Sequence, residues 1–114
     1  TAVCTGSLVL AQAGLLDGRR ATTHWGALHV LARLGATPVE ARWVEDGKFW
    51  TAAGVSAGID MSLALAARIA GDDLAQMIQL GIEYDPAPPF VGGSVRAAPA
   101  HIRAALEPGL RYAD

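Results

Sequence analysis

TAVCTGSLVLAQAGLLDGRRATTHW, residues 1–25, is the stretch that decides the fold. It opens on a short β-compatible run, residues 1–4, passes Gly6 and enters SLVLAQAGLL, Ser7 to Leu16, which is apolar nearly all round. A segment without a polar face predicts a helix buried on several sides. Gly18, after Leu15-Leu16-Asp17, predicts its left-handed cap or turn. Arg20 to His24, with β-branched Thr22 and Thr23, then predicts a short strand.

At the first junction stands the single cysteine of the chain. A lone cysteine is by default a small buried hydrophobe. Its context here is more specific. Ala2-Val3-Cys4-Thr5-Gly6 puts small residues two before and two after it, between a strand and a helix. That is the spacing of a nucleophile elbow, a turn so tight that bulky flanks would clash. The side chain then projects at the carboxyl edge of the sheet, where open α/β sheets bind ligands. The following helix offers uncapped N–H groups and a positive dipole end, which favour thiolate over thiol. The N–H of Thr5 is placed to hold developing negative charge.

Further along, Trp25 to Leu34 carries Leu28, Leu31 and Ala32 at helical spacing and stops at Gly35. Pro38 to Val44 and Lys48 to Ala53 flank Glu45-Asp46-Gly47, a hairpin signal. Val55 to Ala70 is almost wholly apolar or small and predicts a second buried helix. Asp72 or Asp73 can cap another helix running to about Tyr84, and Asp85-Pro86-Ala87-Pro88-Pro89 breaks the pattern. A weak helix, Ala100 to Leu106, closes the chain. The order predicts one α/β domain over residues 1–114. Two apolar helices need more cover than these few strands give. The sheet is therefore expected to be incomplete, with its missing strands before Thr1, which is not an initiator Met.

Composition bounds the function classes. Of 114 residues, 52% are hydrophobic and 18% charged, which excludes a disordered chain. A net charge of −2 without blocks of like charge gives no footprint for nucleic acid or anionic membrane. The run Met61 to Ala67 falls far short of a membrane span and the N-terminus lacks a signal-peptide pattern. One cysteine allows no internal disulfide, so a reducing, cytoplasmic setting is expected. His24, His29 and His101 are scattered and form no zinc spacing with Cys4, so no metal is expected.

VCTGSLVLAQAGLLDGRRATTHW resembles the nucleophile region of the ThiJ/PfpI superfamily, in particular its isonitrile hydratase branch. The resemblance continues through TAAGVSAGIDMSLALAARIAG and AQMIQLGIEYDPAPPF, in order and spacing, from Ala2 to about Pro99. It implies a flavodoxin-like, doubly wound, mostly parallel sheet of which this chain is the C-terminal half, usually in a homodimer, with Cys4 as the reactive thiol. Peptidases of the superfamily carry histidine directly after the cysteine; here that residue is Thr5, as in the hydratase branch. The reaction implied is thiolate attack on an isonitrile, giving a formamide through a thioimidate, with no cofactor. The acid that moves protons lies in the N-terminal half of such proteins, so this chain alone is expected to be inactive. The resemblance also implies that Gly54 and Val55, in the segment GVSAG, bring backbone to the cysteine pocket.

Other residues divide by context. His24 falls at the edge where Cys4 emerges; it reads as a general base or thiolate partner, against a strand-end histidine bonded to backbone. His29 and His101 lie on polar helix faces. Asp17 reads as a solvated turn residue, and Asp60 as a helix-start charge or packing partner. The segment GVSAG lacks the Gly-Lys-Ser/Thr ending of a phosphate loop. Trp25, Trp43 and Trp50 read as core or interface. Beside the enzyme stand two alternatives: the ligand-binding domain of a transcription regulator, and a thiol protein in which Cys4 cycles through sulfenic acid. A DNA reader needs several more helices and basic residues than the three arginines and one weak helix after Phe90 provide.

Overall fold

The computed structural model describes residues 1–110. Five strands and five α-helices follow one another: β1 (Ala2–Val3), α1 (Gly6–Gln12), β2 (Arg20–Ala21), α2 (Leu28–Arg33), β3 (Thr37–Pro38), β4 (Trp43–Asp46), β5 (Phe49–Ala52), α3 (Val55–Ala70), α4 (Asp72–Gly81) and α5 (Ala100–Leu110). A 3₁₀ turn, Trp25–Ala27, leads into α2.

The fold is α/β with mixed strand pairing. β1 pairs parallel to β5, which pairs antiparallel to β4. β2 and β3 form a separate parallel ladder. Side chains join the two: the Thr22 N–H donates to Thr51 Oγ1 at 2.9 Å, and the Arg20 N–H donates to Asp46 Oδ2 at 2.8 Å. The expected hairpin is present, with Asp46 opposite Phe49 and Gly47 at φ 58°, the left-handed backbone that a two-residue hairpin loop requires.

Side-chain alternation puts helices on both faces of the sheet. On β1, Ala2 faces the start of α1, and Val3 faces α3 at Gly58. On β5, Phe49 packs with the cluster of Ala11, Leu16, Ala21, Leu31 and Ala36. Trp50 and Ala52 pack with Ala57 and Met61 of α3.

Several boundaries differ from the sequence expectation. α1 ends at Gln12, because Gly14 at φ 80° closes it: the Gly14 N–H bonds to Ala11 O and the Leu15 N–H to Leu10 O. Leu16 is buried after the helix has ended. β2 stops at Ala21; the Thr22 N–H goes to the Thr51 side chain of β5, and the Thr22 and Thr23 hydroxyls go to loop carbonyls instead of a ladder. The run Pro38 to Val44 is split, with Pro38 pairing beside β2 and β4 starting at Trp43. α4 ends at Gly81, with the same two-bond closure as α1 but Glu83 in the left-handed position at φ 52°. α5 runs on to Leu110, with Pro108 inside it.

The two apolar helices are not enclosed. Val9 of α1 is 71% exposed, and Val55 and Ile69 of α3 are 77% and 75% exposed. The molecule is a slab with extents 43 × 37 × 16 Å. Its radius of gyration is 15.2 Å, against about 13 Å for a compact chain of this length. A groove of about 470 Å³ runs along α3 and α4, lined by Val3, Ile59, Leu63, Ala66, Ile78 and Ile82 among others. Among the described residues, no helix is long and apolar enough to cross a membrane.

Candidate functional site

Cys4 lies immediately past β1 at φ 56°. A non-glycine residue in that region costs roughly 1–2 kcal/mol, so the surroundings must hold it there. The Cys4 N–H donates to Ala52 O at 3.1 Å and to Ala53 O at 2.7 Å, just beyond the end of β5. Its carbonyl accepts from two hydroxyls, Thr23 Oγ1 at 2.9 Å and Ser7 Oγ at 3.2 Å. Both donors are buried, Thr23 at 1% exposure and Ser7 at 0%. The elbow is therefore pinned from three directions: the start of α1, the end of β5 and the loop after β2.

The Cys4 side chain is half-buried, and among the described residues no hydrogen bond to its sulfur occurs. Thr5 is the N-cap of α1 and makes no side-chain capping bond, which leaves the first-turn N–H groups of that helix without a side-chain acceptor. α1 is short, seven residues, and contributes a correspondingly small dipole.

His24 caps the 3₁₀ turn, its Nδ1 accepting the Gly26 N–H at 3.2 Å. With Nδ1 as acceptor, the neutral ring carries its proton on Nε2. The ring lies beside the start of α3, since a Cβ on Gly54 would stand 3.8 Å from His24 Cδ2. Gly54 caps α3 in extended backbone, one residue beyond the Ala53 carbonyl that receives the Cys4 N–H. The fold thus gathers Cys4, Thr5, His24 and Gly54 at one end of the sheet, with Val55 beside them on an exposed corner. His29, on α2, and His101, on α5, are exposed.

Asp17 lies in the exposed turn after α1, its Oδ1 2.7 Å from where a Cβ on Gly35 would stand. Asp60 is a packing partner, as one of its readings held: Arg42 Nε donates to its Oδ2 at 2.8 Å, and the Tyr84 hydroxyl donates to its Oδ1 at 2.5 Å. That bond raises the Tyr84 phenol above its ordinary 10.0, because ionisation would set two negative oxygens side by side. Trp50 is core, whereas Trp43 is exposed.

The positioning roles of Ser7 and Thr23 were missed from sequence. A hydroxyl at the third residue after the cysteine was a readable local signal. The Thr23 contact, 19 residues away, had none.

The chain spans less than half the length of the relatives it matches most fully. It is 55% identical to the isonitrile hydratase of Pseudomonas putida over 102 residues, 90% of this chain and 45% of that protein. It is 40% identical to the HTH-type transcriptional regulator CdhR of Pseudomonas aeruginosa over 112 residues, 95% of this chain and 30% of that protein. The crystal structure of a ThiJ/PfpI family protein from Pseudomonas syringae superposes with a TM-score of 0.91 at 48% identity, covering 95% of this chain and 45% of that one. The DJ-1/PfpI family model matches residues 1–68, the span that holds the elbow, the hydroxyl pins, the hairpin and most of α3. On that match, the chain belongs to the DJ-1/PfpI family.

Proposed function

We propose that this chain carries the nucleophile half of a hydratase that converts an isonitrile to an N-substituted formamide through Cys4. The observation that carries the reading is the Cys4 elbow, left-handed and held by buried hydroxyls, in a chain 55% identical to an isonitrile hydratase.

The chemistry runs in balanced steps. The Cys4 thiolate attacks the terminal carbon of R–N≡C, and a proton delivered to that carbon gives the thioimidate R–N=CH–S. Water adds across C=N. Collapse of the adduct expels the thiolate and releases R–NH–CHO, so the net reaction consumes one water. The Thr5 N–H faces the charge that develops. Gly54 and Val55 supply pocket backbone without side-chain bulk at Gly54. His24, with Nδ1 committed to Gly26, fits an orienting role better than that of a base.

Proton transfer needs a carboxylic acid, and among the described residues none bonds to the Cys4 side chain. We place that acid in the length of the relatives that this chain does not match. The same length completes the sheet. β1 is an edge of the order β1-β5-β4, and the apolar groove opens beside Val3. An added strand and its helix would cover both. Homodimerisation and a cytoplasmic, cofactor-free enzyme acting on a small molecule complete the proposal.

A second reading, a ligand-binding domain of a regulator, is favoured by the 40% identity to CdhR over 95% of the chain. Product analysis separates the two. The chain is fused to the N-terminal part of the Pseudomonas putida hydratase and given an isocyanide, and formamide is followed by NMR. Turnover supports the enzyme; saturable binding without product supports the regulator module. Peroxide-dependent gain of one oxygen at Cys4, with neither turnover nor binding, supports the redox thiol.

A further inference from the structure

The contacts of Arg42, Asp60 and Tyr84 form one connected device. The Ala53 N–H donates to Arg42 O at 2.8 Å, and the Ala53 carbonyl is the one that takes the Cys4 N–H. The Arg42 guanidinium reaches past that residue to α3, donating to Asp60 Oδ2 at 2.8 Å and to Ser56 Oγ at 3.3 Å. Backbone and side chain of one arginine therefore straddle residues 53–60, the passage from β5 into α3. Tyr84 occupies the other carboxylate oxygen. It is delivered there by the left-handed Glu83 at the close of α4, where the Tyr84 N–H bonds to Gln79 O and Gln79 Nε2 bonds to Tyr84 O. Both oxygens of Asp60 are thus committed, which fixes the carboxylate in one orientation.

This arrangement has a purpose that an isolated surface ion pair lacks. α3 is 16 residues long and has no side-chain cap at its N-terminus, so its dipole and free N–H groups are aimed at the Ala53–Gly54 corner. Whatever holds that corner holds the positive end of the long helix against the cysteine elbow. Surface pairs elsewhere on the chain, such as Arg96 with Glu40 at 3.2 Å, touch no part of this passage.

The geometry points to Arg42 and Tyr84 as positioning residues that, through Asp60, fix the β5–α3 corner and with it the thiolate-stabilising environment of Cys4. The inference rests on Cys4 being the reactive thiol. It gives the corner a lock made from three separate elements: the residue before β4, the second turn of α3 and the close of α4. The raised phenol of Tyr84 keeps the hydroxyl a donor throughout the range in which a thiolate would work.

The test is the alkylation of Cys4 by iodoacetamide as a function of pH in the full chain, for the parent, Tyr84→Phe, Arg42→Gln and the surface control Arg96→Gln. Removing the phenol hydroxyl or the guanidinium should move the midpoint of the pH profile upward by about half a unit, which slows alkylation below the midpoint roughly threefold. Arg96→Gln should superpose on the parent. A purely structural role would lower thermal stability and leave the midpoint in place. An unmoved midpoint in both Tyr84→Phe and Arg42→Gln, or an equal shift in Arg96→Gln, overturns the inference. Formamide release is measured on the same variants in the fusion. Shifted alkylation in a fusion that makes no formamide would retain the lock and reject the hydratase reading. Normal turnover with unmoved alkylation would reject the lock and retain the hydratase.

Discussion

Removing the hydroxyls that pin the Cys4 carbonyl should cost more together than the sum of their separate costs. Thr23→Val is nearly isosteric and deletes one buried donor at 2.9 Å; Ser7→Ala deletes the other at 3.2 Å. Each single change removes one hydrogen bond, about 1 kcal/mol, while the carbonyl keeps the remaining hydroxyl. The double variant strips both from a part-buried acceptor and adds a desolvation penalty of about 1–3 kcal/mol. It also removes what opposes relaxation of a residue at φ 56°. The expected losses are about 1, about 1 and about 3 kcal/mol, a coupling on the order of 1 kcal/mol. Thr22→Val is the internal control: equally buried, it donates only a long bond of 3.4 Å to Ala41 O, and should cost less than Thr23→Val. Thermal and denaturant unfolding by circular dichroism measure all four; about 4–8 °C per kcal/mol is expected for a domain near this size. Strict additivity, or a Thr22→Val loss equal to that of Thr23→Val, would refute the claim that the hydroxyls hold the elbow.

Other outcomes follow from single contacts. Gly58→Ala should destabilise by about 1–3 kcal/mol despite the better helix propensity of alanine, because the new Cβ would stand 2.5 Å from Val3 Cγ1 and 3.3 Å from Val3 Cβ, too close for a rotamer change to relieve; urea unfolding reads it, and adding Val3→Ala should return part of the loss. His24→Ala should lower stability by about 1 kcal/mol through loss of the cap and leave kcat for formamide release within tenfold, whereas a fall of about 10²–10⁴ would identify a base. Absorbance titration of the phenols should find one titrating above 10.0 that is absent in Tyr84→Phe. Because the folded value is raised, the contribution of that bond to stability is complete below 10.0 and disappears as pH rises through the raised value.

Local chemistry made parts of the fold readable. Asp46-Gly47 between two apolar-polar runs marked the β4–β5 hairpin, because few residues tolerate the backbone at Gly47. α3 keeps its expected bounds, Val55–Ala70, since Gly54 and Gly71 bracket it. The Ala2-Val3-Cys4-Thr5-Gly6 spacing located the elbow that the left-handed Cys4 confirms as geometry. What stayed hidden depends on distant partners. Thr37–Pro38 pairs with Arg20–Ala21 as a two-residue ladder too short to leave a period. Thr22 and Thr23 look like strand residues until Thr51 and the Cys4 carbonyl claim their polar groups. The Arg42–Asp60–Tyr84 lock spans separations of 18 and 24 residues, which no local pattern encodes. Gly14 was legible in principle; the apolar run around it masked a left-handed residue that ends α1.

In the proposed reaction Cys4 forms the bond to carbon. Formamide release from an isocyanide, measured on the fusion protein and on its Cys4→Ala and Cys4→Ser forms after each is shown to be folded, tests it directly. A serine hydroxyl is far less ionised near neutral pH, and among the described residues no basic side chain bonds to the elbow side chain. Both variants should therefore fall to the uncatalysed rate; full activity in Cys4→Ala would contradict the covalent mechanism.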